Sequence, residues 1–572
     1  MAGLTTALYA ANTSLYVNSR DLDVVARNIA NVETPGYTKK VLSRSSIVYG
    51  TQGGGVYGNG VDRFVPVELL RQSRFQNSVT TSLEQTSVSL SRVEVAFGNP
   101  SDENSIGALL GELEDAFRQA ALEPEDNLLH LQVLQTAQRF TEELNQMTDL
   151  IQEERRQAEL SIEETVDTVN ELVSDIHLLS DEIVLVQAGG GDSSDLKDKR
   201  DALVNSLSEE IDISYYEETN GRMIISLTDG KTLLEKQPFE LTFTRRNVTP
   251  QSYYDPAIPA PGAGSGLLGG IIIDVPGGGP DIDVTSSFSG GKLGGLIEVR
   301  DEILPQAQAQ LDELATNLMV RFGAIRDVNA DAPLDRSIYE LFVDPGDTAL
   351  GIPLGSATAY ADAAVAGNAL PPPAFNEFDF AAAALVDNQD VGLAGRIQVN
   401  AAFLNNQFLV RQGTFFLDAG EGNPDPITGD PQFLDSDGSL IQRVIDEVFL
   451  ASSTDMSNAA LFGAGGPAQF GYRTRGVGAN DGLSTRLENR SSVESYTNSI
   501  VAFQANQLDG INQRLDSESY IQEQVENELL GTTGVNIDQE LARLIEIEAA
   551  YTASSQIITT IRQLFDDLLS VV

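Results

Sequence analysis

Apolar side chains recur in alternating steps of four and three at both ends of the chain. Near the N-terminus the series is Leu4, Leu8, Ala11, Leu15, Leu22, Val25, Ile29 and Val32, with Asn18 the one polar residue in register. Near the C-terminus Ile547, Ala550, Ser554, Ile557, Ile561, Leu564 and Leu568 keep the same steps, and Leu541, Leu544, Tyr551, Ile558 and Phe565 widen the stripe. A mean repeat of 3.5 residues is the seam of a coiled coil. Asn536 is placed to cap the C-terminal helix, with Asp538 and Glu540 favourable in its first turn. The N-terminal stripe stops at Thr34-Pro35-Gly36-Tyr37. A residue before proline is pushed out of the helical region, Pro35 lacks an amide donor, and Gly36 permits positive φ. Asn31 is positioned to cap the preceding helix and Tyr37 to anchor the outgoing segment. A helix with one apolar stripe must bury it. The two ends are therefore expected to pack against each other, with everything else inserted between them. Each stripe spans roughly 45 Å at about 1.5 Å per residue.

Further helical patterns lie inward. Residues 66–100 carry Leu69, Leu70, Phe75, Val79, Leu83, Val88, Leu90, Val93 and Phe97. Residues 105–122 end before Glu123-Pro124, and Pro124 suits the first turn of the next helix. From there to Ala188 no proline or glycine interrupts the pattern. Residues 303–328 and 486–530 are also helical in period. The middle differs. Residues 211–235 alternate apolar and polar positions around Asn220-Gly221 and Asp229-Gly230, which are hairpin turn signals. Residues 249–295 are rich in proline and glycine, and 336–480 mix short strand-like runs with turns.

Composition narrows the function. The 572 residues carry 41% hydrophobic and 21% charged side chains, a globular balance, with a net charge of −48. That charge argues against a nucleic-acid or anionic-lipid surface. The absence of cysteine excludes disulfides, thiolate metal sites and cysteine nucleophiles. The N-terminus lacks the pattern of a cleavable signal peptide, and no run reaches the ~18 apolar residues of a membrane span. The chain therefore reads as cytosolic, or as exported without such a signal. Gly53-Gly54-Gly55-Val56-Tyr57-Gly58 fits G-x-G-x-x-G but opens no helix, and is expected to be a glycine-rich turn or linker. Asp425, Asp430, Asp435 and Asp437 lack the spacing of a calcium loop and read as turn residues. His130 and His177 have no histidine partner at helical spacing and read as packing or surface residues. Asp195, Asp198, Arg200 and Asp201 have the makings of an ion-pair network, with no nucleophile beside them. No constellation supports catalysis, a cofactor or a metal site.

Residues 8–40, LYAANTSLYVNSRDLDVVARNIANVETPGYTKK, resemble the N-terminal signature of bacterial flagellar axial proteins, with Asn28, Asn31, Pro35, Gly36 and Tyr37 at its core. The C-terminal VNIDQELARLIEIEAAYTASSQIITTIRQLFDDLLSVV resembles the matching signature at the other end. The segments SIGALLGELEDAFRQAALEPEDNLLHLQVLQTAQRF, DLKDKRDALVNSLSEEIDISYYEETNGRMIISLTDGKTLL and SFSGGKLGGLIEVRDEILPQAQAQLDELATNL are similar to the hook-associated protein 1 family, the first hook–filament junction proteins. The sequence NVETPGY stands closer to the rod and hook form, and His130 occupies a place where the family suggests arginine. A hook or rod protein therefore stays an alternative. So does a secreted adhesin or enzyme acting through the central region.

The resemblance implies a multidomain α + β fold with the terminal helices paired in a coiled-coil-like bundle. The expected units are 1–60 with 531–572 as a terminal coiled-coil domain of the inner tube; 61–203 with 287–335 and 481–530 as a helical bundle; 204–286 as a β-rich insertion; and 336–480 as a variable outer β-rich domain. It implies a structural protein of the flagellum, extracellular, exported by the flagellar type III apparatus without a cleaved signal. The implied partners are further copies in a ring, the hook protein, a second junction protein, and an export chaperone on the C-terminal helix. The expected assembly interface is Leu4, Leu8, Ala11, Leu15, Leu22, Val25, Ile29 and Val32 with Leu541, Leu544, Tyr551, Ile558, Ile561, Phe565 and Leu568.

Overall fold

A computed structural model describes residues 2–49, 52–98, 105–262, 265–274, 281–323, 325, 339–345, 391–413, 438–450, 472–480, 482–488 and 492–570. The molecule is mostly helical with a few small sheets, a multidomain α + β arrangement. Helix α1 (Ala2–Ala30) ends where the sequence stops it, and Gly36 takes φ of 76° in the turn that follows. The Asn31 side chain donates to the Arg27 carbonyl at 2.9 Å and caps the last turn.

Next comes an antiparallel hairpin, β1 (Lys40–Tyr49) and β2 (Gln52–Arg63), lying on α1. Here the expectation of a glycine-rich turn or linker at 53–58 fails, because these residues form part of β2. The reason is close packing. A Cβ on Gly55 would sit 2.3 Å from Thr13 Oγ1, and one on Gly58 would already touch Leu42 and Val17. Glycine lets the strand approach the helix, which the motif template does not anticipate.

The helical mass follows: α2 (Val67–Phe97), α3 (Ile106–Leu122), α4 (Asn127–Ala188) and α5 (Ser194–Glu210). Helix α4 starts one turn later than Pro124 suggests, because the Asp126 side chain accepts from the Leu128 amide at 2.7 Å and takes the N-cap. Its 62 residues make a rod about 93 Å long at ~1.5 Å per residue. Two three-stranded antiparallel sheets come next. The first is β3 (Ile213–Glu217), β4 (Met223–Leu227) and β5 (Thr232–Leu234), whose turns use Gly221 and Gly230 at φ near 90°. The second is β6 (Leu241–Phe243), β7 (Ile271–Ile273) and β8 (Ile282–Asp283). Helices α6 (Gly291–Glu298) and α7 (Leu304–Gly323) are joined by a π-helical turn, Val299–Ile303. That turn carries the buried Arg300, which pairs with Glu159 of α4 at 2.8 Å and with Asp301 at 2.7 Å.

The outer region was expected to be β-rich. Among its described residues only β9 (Phe342–Val343), β10 (Gln398–Val399) and β11 (Arg475–Val477) are strands, against helices α8 (Ala401–Asn405), α9 (Leu409–Gln412) and α10 (Ser439–Val444). Packing decides this. Phe403, Leu409, Val410, Leu440, Ile441 and Val444 are buried against the bundle on one helical face each. Asp425, Asp430, Asp435 and Asp437 lie outside the described residues. The chain returns through β12 (Leu483–Ser484), α11 (Val493–Thr533) and α12 (Ile537–Ser570). The Asn536 side chain accepts from the Gln539 amide at 3.2 Å, the N-cap read from the sequence.

One apolar cluster runs from Leu90 to Val501 through α2–α7, the small sheets and α11. No described residue of α1, the β1–β2 hairpin or α12 belongs to it. Those three elements have their own small interior of Ala11, Val17, Val24, Val25, Leu42, Ile547 and Ile561.

Candidate assembly interface and its anchoring network

Helices α1 and α12 lie side by side and antiparallel. Three polar contacts fix the pairing: Ser14 Oγ to Ser554 Oγ at 3.1 Å, Arg543 to Asp21 at 3.1 Å, and Asn28 Nδ2 to Glu540 Oε2 at 3.0 Å. On α12 the buried positions are Glu540, Ile547, Ser554 and Ile561, one in seven. The stripe read from the sequence is therefore wider than the face that α1 covers. Ile545 is 65% exposed and Ile557 49%, while Leu541, Tyr551 and Leu564 are about equally open. Leu544, Ile558 and Phe565 are half-buried, and the Leu568 side chain is outside the description. On α1, Ala11 and Val25 are buried, and Leu4, Leu8, Leu15, Leu22 and Ile29 are half-buried, as is Val32 in the turn just beyond it.

The helical repeat missed Val17 and Val24, which are 2% and 1% exposed. They belong to a second face of α1, the one the β1–β2 hairpin covers. It also missed Asp21, buried on the seam between Arg44 of β1 and Arg543 of α12. A buried carboxylate needs such partners.

The residues around the Pro35 turn form one network. Asn28 is fully buried, and its amide is fully used. Nδ2 donates to the Lys40 carbonyl at 2.9 Å and to Glu540, while Oδ1 accepts from the Lys40 amide at 3.1 Å and the Tyr37 hydroxyl at 3.0 Å. Tyr37 thus anchors the outgoing segment by its hydroxyl, and its ring lies 3.7 Å under the Lys40 ammonium. Burial pushes the Tyr37 phenol above its ordinary value against the pull of Lys40. Lys39 pairs with Glu540 at 3.1 Å, and its amide donates to the Thr533 carbonyl at 2.8 Å, tying the turn to the α11–α12 junction.

The acidic run at the start of α5 completes the site. Asp195 and Asp198 hold the buried Lys40 ammonium, the latter at 3.0 Å, and Asp198 also accepts from the Thr38 hydroxyl at 2.6 Å. Arg63 pairs with Asp198 at 3.2 Å and with Asp201, and Arg74 of α2 with Asp201 at 3.0 Å. Arg27 of α1 reaches Asp192 at 3.2 Å and Asp195 at 3.8 Å. Burial lowers the Lys40 affinity for its proton, but bonds to Asp195 and Asp198 outweigh this and hold its pKa above the ordinary value. Burial raises Asp201 and its two arginines more than reverse it, so its carboxyl lies below the usual range. Arg200 faces away and pairs with Glu217, also donating to the Gly221 carbonyl at 2.6 Å. Of the network expected among Asp195, Asp198, Arg200 and Asp201, the three aspartates take part but Arg200 does not: their cations are Arg27, Lys40, Arg63 and Arg74, and Asp192 extends the row. The signal that would have found Asp192 is the three-residue repeat of aspartates from 192 to 201.

His130 is fully buried in α4 with neither ring nitrogen hydrogen-bonded. Burial, helped by the Arg411 charge, lowers its pKa. His177 lies 3.7 Å from Asp181 one turn on. Among the described residues no group of three or more His, Asp or Glu is placed to hold a metal ion. No described helix is long and apolar enough to cross a membrane.

Comparison with known proteins gives two family matches. A family model described as the flagellar hook-associated protein FlgK helical domain matches residues 90–333. Another, the flagellar basal body rod FlgEFG protein C-terminal, matches residues 528–571. Flagellar hook-associated protein 1 of Escherichia coli (strain K12) is 22% identical over 594 aligned positions, covering 100% of this chain and 98% of the relative. The protein of the same name from Bacillus subtilis (strain 168) is 24% identical over 240 residues, 40% of this chain and 47% of the relative. That from Salmonella typhimurium is 24% identical over 351 residues, 58% and 56%. The chain thus spans about half the length of the last two and nearly all of the first. The solved flagellar hook junction protein FlgK from Burkholderia pseudomallei matches with a TM-score of 0.39 and 21% identity, over 48% of this chain and 46% of that one. The resemblance to the flagellar hook-associated protein 1 family holds by sequence, through the helical segment 90–333 and through a C-terminal segment shared with rod proteins.

Proposed function

We propose that the chain is a structural, non-enzymatic component of the bacterial flagellum that joins hook to filament and assembles through its terminal helices. The observation that carries this is a contrast in surface. The terminal pair leaves Ile545, Leu541, Tyr551, Ile557 and Leu564 open to solvent, beside Tyr9 and Tyr16 of α1. Charge is distributed the same way. Residues 1–63 carry six cationic and four anionic side chains, and residues 534–572 carry two and six, so these ends sum to −2 and leave −46 to the rest. Nearly neutral segments with open apolar flanks can pack closely in a tube. The remainder repels its copies and stays in solvent.

On this reading 1–60 with 531–572 packs coiled-coil fashion against neighbouring copies as the inner tube. The bundle 61–203 with 287–335 and 481–530 forms the next layer, 204–286 is inserted in it, and 336–480 is outermost. The partners are the hook protein below, a second junction protein above, and an export chaperone covering the apolar face of α12 until assembly. Export proceeds without a cleaved signal. The names of the relatives and the match at 90–333 support the junction over a hook or rod position.

Deletion of the gene tests this. The reading requires hooks without filaments and flagellin released into the medium. Loss of the hooks themselves would assign the chain to the hook, and normal filaments would reject an axial role.

A further inference from the structure

We infer that the terminal pair is a rigid arm hinged on the helical core and latched there by charge, through a staggered ladder of four aspartates, one just before α5 and three on it, and four cations, three from the arm and one from α2. The hinge is visible in what is missing between the two parts. The main apolar cluster contains no described residue of α1, the β1–β2 hairpin or α12. The chain crosses from arm to core only twice, at 64–66, which contains Pro66, and at 534–536, which begins with Gly534.

The latch is visible in the order of its partners. Asp195, Asp198 and Asp201 stand three residues apart on α5, so on a helix of about 3.6 residues per turn the row winds by roughly 60° per step, and Asp192 continues the spacing in the turn that leads into the helix. Arg27, Lys40, Arg63 and Arg74 meet it in the same order. Arg27 bridges the first two aspartates, Lys40 the second and third, and Arg63 the third and fourth, while Arg74 holds the fourth from α2. The row thus passes from α1 through both strands of the hairpin to the core. Three of the four cations belong to the arm, and one end is tied to α2. Ion pairs are directional and sensitive to charge, whereas apolar packing is neither. Neutralising the middle of the ladder should free the arm to swing while each part keeps its own interior. This stands whether or not the arm packs in a tube.

The chain has no cysteine, so spin labels can be placed cleanly. One pair, Ser19→Cys with Thr168→Cys, reports the arm against α4. A control pair, Thr168→Cys with Ser517→Cys, reports α4 against α11. Pulsed electron-paramagnetic-resonance distances in the full chain should show one narrow arm–core distribution. In Asp195→Asn/Asp198→Asn that distribution should at least double in width while the control pair stays narrow. An unchanged arm–core width would overturn the latch. Broadening of the control pair as well would also overturn it, because the ladder would then be an ordinary part of core stability. Lys40→Gln, made from the arm side, should reproduce the aspartate result, and a narrow distribution there would count equally against it.

Discussion

Asn28→Ala removes one side chain and strands several groups. In the native chain the amide makes four hydrogen bonds: two from Nδ2, to the Lys40 carbonyl and Glu540, and two to Oδ1, from the Lys40 amide and the Tyr37 hydroxyl. Asn28, Lys40 and Glu540 are each 0% exposed, so water does not readily replace what is lost. Leaving a buried polar group without its partner costs about 1–3 kcal/mol. Glu540 keeps Lys39, and Tyr37 is only half-buried, so the Lys40 backbone groups carry most of the loss. The expected penalty is about 3 kcal/mol, on the order of a hundredfold in the opening equilibrium of the terminal pair. It falls on that pair alone, because its interior is separate from the main cluster. Native-state hydrogen exchange resolves this locally. Amides of residues 11–29 and 540–561 should exchange about a hundredfold faster, with those of α4 and α7 unchanged. Equal protection at 11–29 in both proteins would refute the reasoning. So would equal loss in α4.

Other outcomes follow from the same geometry. Leu22→Asp or Ile29→Asp should abolish filament formation, seen by electron microscopy, while circular dichroism of the purified chain keeps its helical signal, because a charge on a seam meets no partner there. Gly55→Ala should destabilise the terminal pair by about 1–3 kcal/mol in exchange experiments, since φ of 125° is strained for alanine and its Cβ would strike Thr13. His130 is held neutral in the fold, so its pKa is lowered relative to the unfolded chain. Its contribution is fully present above about pH 6.5 and is lost as pH falls below that value. Between pH 7 and 5 the urea midpoint of the native chain should drop further than that of His130→Asn. Finally, a core region carrying most of a −48 charge should gain melting temperature between 0.05 and 0.5 M salt.

The terminal helices, the stop at Pro35 and both glycine hairpins of β3–β5 were legible because each depends on local periodicity or on one residue's backbone preference. The β1–β2 hairpin was not. Its second strand, QGGGVYGNGVDR, has too few β-formers to reveal itself, and its place depends on how closely glycine lets it approach Ala10 and Thr13 of α1. The burial of Val17 and Val24 follows from that hairpin and was hidden with it. The aspartates of α5 were recognisable as a charge network. Their partners come from Arg27, Lys40 and Arg63, some 130 to 170 positions away, and only the tertiary fold brings these together. For the outer region, short strand-like runs and turns suggested a β-rich unit, yet among its described residues α8 to α10 are short helices whose apolar faces follow the bundle they pack on.

The central claim is that the terminal helices are shaped for neighbouring copies. Ile545→Asp tests it most directly, because that side chain is 65% exposed and no interior of the single chain needs it apolar. A deletion strain complemented with this variant should secrete a chain whose circular dichroism and melting match the native protein, yet bear hooks without filaments under the electron microscope. Full-length filaments on those hooks would contradict the account.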